Sequence, residues 1–145
     1  MKTATLQDAL NARPCYSGEE VKKIFGRRKS LSVKQIAALK IPAGDKVWAL
    51  TRDHFLDTQD KAVRFAVFCA EQSLKYYEAK YQDDRPRKAI EAAKAWIENP
   101  TQENKNAAYA AAYAANAAAY AVANAVANDE QLKFLVNMLT AKVTK

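Results

Sequence analysis

Asn106-Ala-Ala-Tyr-Ala-Ala-Ala-Tyr-Ala-Ala-Asn-Ala-Ala-Ala-Tyr-Ala-Val-Ala-Asn-Ala-Val-Ala-Asn128 contains no glycine, no proline and no charge. Alanine loses no rotamer freedom in a helix, so this stretch is expected to be helical throughout. At about 100° per residue, Asn106, Tyr109, Tyr113, Asn116, Tyr120 and Asn124 share a stripe roughly 80° wide, with Asn128 at its edge. The rest of the surface is methyl groups, apart from Val122 and Val126. Such a rod buries little area itself but lets neighbours approach closely. We therefore expect a spine against which bulkier helices pack. The Tyr/Asn stripe is either a hydrogen-bonding seam or a recognition face.

Upstream of the spine the chain divides into long helices. Asp57 or Thr58 is placed to cap a helix running to about Tyr81. Its run from Val63 to Ala70 is apolar almost all round, which predicts a turn inside the core. Leu74, Tyr77 and Tyr81 continue one face. Asp83-Asp84-Arg85-Pro86 starts the next helix, with proline near its first position and acids at the positive end of the dipole. Ile90, Ala93, Trp96 and Ile97 form its inward face, and Asn99-Pro100 ends it. Thr101 with Asn104 opens the spine. Downstream, Leu132, Leu135, Val136, Leu139 and Val143 line one side of a last helix. A kink or short turn is expected at Asn128-Asp129, because an unbroken helix of forty-odd residues would span ~60 Å.

The first fifty-odd residues read as short helices. Thr5 to Leu10 is closed by Arg13-Pro14, and Ser17 with Glu20 has capping-box spacing ahead of Val21, Ile24 and Phe25. Gly26 is placed to end that helix. Ser30 or Ser32 starts a third, which stops by Lys40 because Pro42 forces Ile41 to be extended. A fourth covers about Ala43 to Arg52. The expected fold is all-α: a single-domain multi-helix bundle over 1–145 around the Ala-rich helix, with a cap of short N-terminal helices (1–56) and a long-helix bundle (57–145).

Charge is unevenly spread. The net +7 arises almost wholly from residues 1–56, with eleven Lys/Arg against five Asp/Glu, whereas residues 57–145 hold twelve against eleven. An anionic partner should meet the N-terminal part. The Ala tract is too weakly hydrophobic for a membrane span, and the N-terminus lacks a signal-type apolar region, so a cytoplasmic protein with reduced Cys15 and Cys69 is expected.

Chemistry is poorly represented. His54 beside Asp53 reads as a capping or surface residue rather than a general base. Two separated cysteines and one histidine supply no zinc spacing. Gly18, Gly26 and Gly44 make no phosphate loop, and Cys69 sits among apolar neighbours as a core thiol. No catalytic residue, metal site or cofactor is expected. Three features carry binding candidates. Arg85 and Arg87 follow two aspartates and serve either a network fixing two helices or a partner contact. Arg27, Arg28 and Lys29, with Lys22 and Lys23, form either a solvated helix end or a phosphate contact. Tyr109, Tyr113 and Tyr120 suit either an interface or packing on a neighbouring helix.

Three phrases bear a resemblance: Leu6-Gln-Asp-Ala-Leu followed by Pro14-Cys15-Tyr16; Ile41-Pro-Ala-Gly-Asp-Lys-Val-Trp48; and Asp84-Arg-Pro-Arg-Lys-Ala-Ile-Glu-Ala-Ala93 ahead of the Ala/aromatic repeat. They resemble a family of small immunity proteins found at bacterial polymorphic-toxin loci, with relatives in phage genomes. The resemblance implies an all-α, cytoplasmic, non-catalytic binder. The leading expectation is a protein that blocks a toxin or, if phage-encoded and working in the host cytoplasm, a host defence component (counter-defence). The alternative is a nucleic-acid-associated protein using the basic N-terminal region. Either a monomer or a homodimer fits, the latter through bare Ala faces.

Overall fold

The computed structural model describes residues 2–108 and 128–141. It is mostly helical, as the periodicity demands, with one small two-stranded ladder. Two compact units emerge. The first joins Met1–Thr58 to Asn128–Lys145, and the second is Gln59–Ala127. The C-terminal helix, placed by sequence order with the long helices, thus belongs with the N-terminal residues.

In the first unit, β1 (Thr3–Thr5) leads into α1 (Leu6–Asn11), and β2 (Ser30–Ser32) leads into α3 (Val33–Ala37). The strands pair antiparallel, Thr3 opposite Ser32, Ala4 opposite Leu31 and Thr5 opposite Ser30. This ladder was not expected, yet its cause is local. Thr5 and Ser32 are N-caps with extended backbones (φ −80°, ψ 166° and φ −78°, ψ 167°). A cap residue in the β region prolongs an extended lead-in, and two such lead-ins side by side can share hydrogen bonds. Both caps are full capping boxes, Thr5 with Asp8 and Ser32 with Gln35. The Ser17–Glu20 box forms as its spacing predicts and starts α2 (Gly18–Phe25). Gly26 ends α2 with φ 61°, a conformation that costs a side chain dearly.

Helix α4 (Ala43–Leu50) follows Pro42. The C-terminal helix, numbered α8 below (Asn128–Thr140), packs on both α3 and α4. Leu50 and Leu135 are wholly enclosed, together with Leu31, Val33, Ile36 and Phe55. Lys46 Nζ donates to Ala37 O at 2.8 Å, tying α4 to the end of α3. Asn128 and Asp129 are helical, and the junction before them lies outside the described residues.

The second unit is a hairpin of α5 (Gln59–Lys80) and α6 (Arg85–Glu98), joined through residues 81–84. Val67, Leu74 and Ile90 form its core, with Val63, Ala70, Ala93 and Ile97 packed around them. The expected all-round burial between Val63 and Ala70 does not occur: Phe65, Phe68 and Cys69 are half-buried and Ala66 is exposed, while α6 packs on the side that carries Val63, Val67 and Ala70. Tyr81, expected inward, is 47% exposed. It lies just past the end of α5, where the chain turns away. Helix α7 is described over residues 102–108, and Thr101 Oγ1 caps it by accepting from Asn104 N at 3.1 Å, as expected. Most of the Ala-rich spine, including Tyr109, Tyr113 and Tyr120, lies outside the described residues.

Candidate functional site

The α5–α6 corner is built by paired charges. Asp83 sits just ahead of α6 and accepts the Arg85 backbone N–H at 3.1 Å, which satisfies one orphan donor of the helix start. The Arg85 guanidinium grips the same carboxylate through Nε at 2.9 Å and Nη2 at 2.7 Å. Tyr77 donates its phenol proton to Asp83 from the buried side at 2.8 Å. These donors, the Arg85 side chain first, hold the Asp83 carboxyl far below the ordinary range. Arg87 reaches back across the hairpin and forks onto Glu78, with Nε at 2.9 Å. Seven residues further from the turn on each helix, Lys94 meets Glu71 at 2.8 Å. The antiparallel register of α5 on α6 is thus marked by two cross-helix ion pairs two turns apart. Arg85 and Arg87 act first as the network that fixes two helices, while more than half of each side chain stays exposed. Tyr76 on α5 and Tyr81 just after it are exposed as well, at 48% and 47%. Sequence reading missed this pair as surface residues, because helical phase alone does not reveal where a hairpin turns.

The basic turn behaves differently. Arg28 folds back on the end of α2, donating from Nη2 to Ile24 O at 2.8 Å and from Nε to Phe25 O at 3.1 Å. A cation there meets the negative end of the helix dipole and satisfies orphan carbonyls. Lys22, Lys23, Arg27 and Lys29 are exposed and have no acidic partner among the described residues. Of the cationic cluster, one side chain is structural and four project into solvent.

Between the short helices lies a feature that the sequence does not announce. A cleft of about 320 Å³ opens among α1, α2, α3 and α4, walled by Ile24, Phe25, Leu39, Ile41 and Trp48. Its charged edge groups and the Tyr16 phenol are each engaged. Tyr16 donates to Asp45, and that bond raises the phenol's pKa above its ordinary value. Asp8 accepts from Thr5 N at 2.8 Å, which lowers its pKa. Arg52 lies over the Trp48 ring at 4.7 Å and donates to Trp48 O at 3.0 Å. His54 Nε2 stands 2.7 Å from Thr3 O and 3.9 Å from Asp8, fastening the chain after α4 to β1. No periodic signal could expose this cleft, since its walls come from four separate helices.

The Cys69 thiol is not activated by its surroundings. Burial pushes the Cys69 pKa up to about 11, so it stays neutral near pH 7. Cys15 is exposed. Among the described residues no cluster of three His, Cys, Asp or Glu is placed to hold a metal ion, and no helix is long and apolar enough to cross a membrane.

Residues 55–131, just over half of the chain, match the Imm-5 like putative immunity protein family. The chain belongs to this family. The match falls almost entirely on the second unit, so the charged α5–α6 corner lies inside the Imm-5 like region and the cleft, apart from Phe55, lies outside it. No curated protein and no solved structure matches the chain.

Proposed function

We propose that this Imm-5 like protein is a non-catalytic inhibitor that neutralises a protein toxin by covering its working surface. The family match over the α5–α6 hairpin carries the reading. The hairpin is suited to it physically. Its helices are held by the Val67, Leu74 and Ile90 core, with Arg87–Glu78 and Lys94–Glu71 in register, before any partner arrives, so binding orders little and loses little entropy. Tyr76, Tyr81, Arg85 and Arg87 are the residue types that dominate binding energy at interfaces, and we place them in the contact. Arg27 and Lys29 form a second contact region. A phage-encoded copy would act on a host defence component by the same occlusion.

Co-expression with the toxin encoded beside its gene tests this. Growth should be rescued, and an equimolar complex should survive gel filtration. Replacing Tyr76 and Tyr81 by Ser should weaken the complex by at least about tenfold, or ~1.4 kcal/mol, without unfolding the hairpin. Absence of both rescue and complex would overturn the reading.

A second reading rests on Lys22, Lys23, Arg27 and Lys29, four cations without an acidic partner among the described residues. It has the protein bind nucleic acid through phosphate contacts. Its signature is a steep fall of affinity with salt, lost when those residues become Ala.

A further inference from the structure

We infer that the apolar cleft of the first unit and the cations of α2 together form a docking groove for an acidic amphipathic helix of a protein partner, with one large apolar side chain of that helix entering the cleft. The inference deepens the proposed function by naming the partner's chemistry, and takes from that reading only that the partner is a protein. Four observations carry it. The cleft, at about 320 Å³, has the capacity for one or two large side chains, and its walls are apolar. Its edge offers no unsatisfied ionic group: Asp45 is held by Tyr16, Asp8 by Thr5, and Arg52 by the carbonyl and ring of Trp48. The occupant of the cleft itself is therefore uncharged. The free charge lies on the other faces of α2 and in the turn after it. Helix α2 lines the cleft with Val21, Ile24 and Phe25, and the intervening and following Lys22, Lys23, Arg27 and Lys29 are exposed without acidic partners among the described residues.

Charge balance supports the same sign of partner. The first unit holds fourteen Lys/Arg against eight Asp/Glu, net +6, and the second nine against eight, net +1. Clustered cations repel one another in the free protein, and acids on a docked helix relieve that repulsion while speeding encounter. An apolar stripe entering a groove with acids on its flanks is the helix-in-groove mode of recognition.

The test uses the full chain carrying Trp96→Phe, so that Trp48 reports alone. The probe is a synthetic amphipathic helix with a Leu/Phe stripe and Glu flanks; its control has the same stripe with Lys flanks. The Glu peptide should shift Trp48 emission saturably, and the Lys peptide should bind at least about tenfold more weakly at low salt. Lys22→Glu with Lys23→Glu, both on the surface, should reverse that preference. Ala49→Leu, which keeps α4 helical and fills the cleft, should abolish the shift. Equal binding of both peptides, or binding indifferent to Ala49→Leu in a variant shown to be folded, would overturn the inference. So would a concentration-dependent dimer that shifts Trp48 unaided, dodecanoate outcompeting the Glu peptide, or a DNA duplex binding α2 with Ala49→Leu without effect. Because no toxin is present, a failure here is separate from a failure of toxin rescue.

Discussion

The two units handle charge in opposite ways. In the second, Arg64, Arg85, Arg87, Lys88 and Lys94 each meet a carboxylate within 3.0 Å. In the first, Lys2 meets Asp57, while Arg28, Lys46 and Arg52 donate to backbone carbonyls, and Lys22, Lys23, Arg27 and Lys29 meet no acid among the described residues. The difference follows from architecture. Long helices bring residues of both signs into reach, within a helix one turn apart (Arg64–Asp60, Lys88–Asp84) and across the hairpin (Arg87–Glu78, Lys94–Glu71). Short helices joined by turns offer no such reach, and caps with a small shared core hold them instead. Paired charge describes how a unit is built, whereas unpaired charge next to an apolar opening describes what it can receive.

The contrast breaks most sharply in the cores. Leu135→Ala removes a fully enclosed side chain from α8 and should cost about 2–5 kcal/mol in urea unfolding. Hydrogen exchange should show α3 and α4 losing protection while α5 and α6 retain theirs. Equal loss in both units would show that they do not differ in what holds them.

Capping comes next. Ser32→Ala deletes the acceptor for Gln35 N and should lower stability by about 1 kcal/mol. Because Ser32 also closes the ladder opposite Thr3, amide exchange at β1 should quicken with it. A thermal melt matching the wild type would mean that the box adds nothing to a pre-formed turn.

Acid sharpens the comparison from the other side. Asp83 and Glu78 have folded pKa values below their ordinary ones, through Arg85 and Arg87 respectively. Their stabilisation is complete above the unfolded value of about 4 and fades as pH falls through the depressed folded value. Helices α5 and α6 should therefore lose exchange protection progressively below about pH 4, and Arg85→Gln with Arg87→Gln should flatten that dependence. A pH profile unchanged by the double variant would remove these pairs from the account.

The smallest effect concerns the cations themselves. Lys22→Gln with Lys23→Gln breaks no pair and should leave the melting temperature unchanged or slightly raised at low salt, whereas Arg87→Gln should lower it slightly. Differential scanning calorimetry at two salt concentrations separates the two, since exposed charges are screened.

Much of the local architecture was legible from residue order. Ser17 with Glu20, Gly26, Pro86 at the start of α6 and Thr101 with Asn104 each mark the boundary expected of them. The candidate site was legible only as types of residue. Arg85 and Arg87 could be singled out as a charged turn, but which acid each one holds depends on α5 lying antiparallel to α6. Arg28 could not be told from Arg27 and Lys29, although only Arg28 folds onto the carbonyls of α2.

By itself the sequence determined the starts of α2, α6 and α7, the end of α2 and the concentration of positive charge near the N-terminus. Those properties depend on backbone hydrogen bonds and side chains within three or four residues of one another. Only the tertiary structure decided that Thr3–Thr5 meets Ser30–Ser32, that α8 joins α3 and α4, and that Ile24 and Phe25 face Trp48 across an open cleft. Such choices are made by shape and excluded volume between segments tens of residues apart, and no local pattern records them.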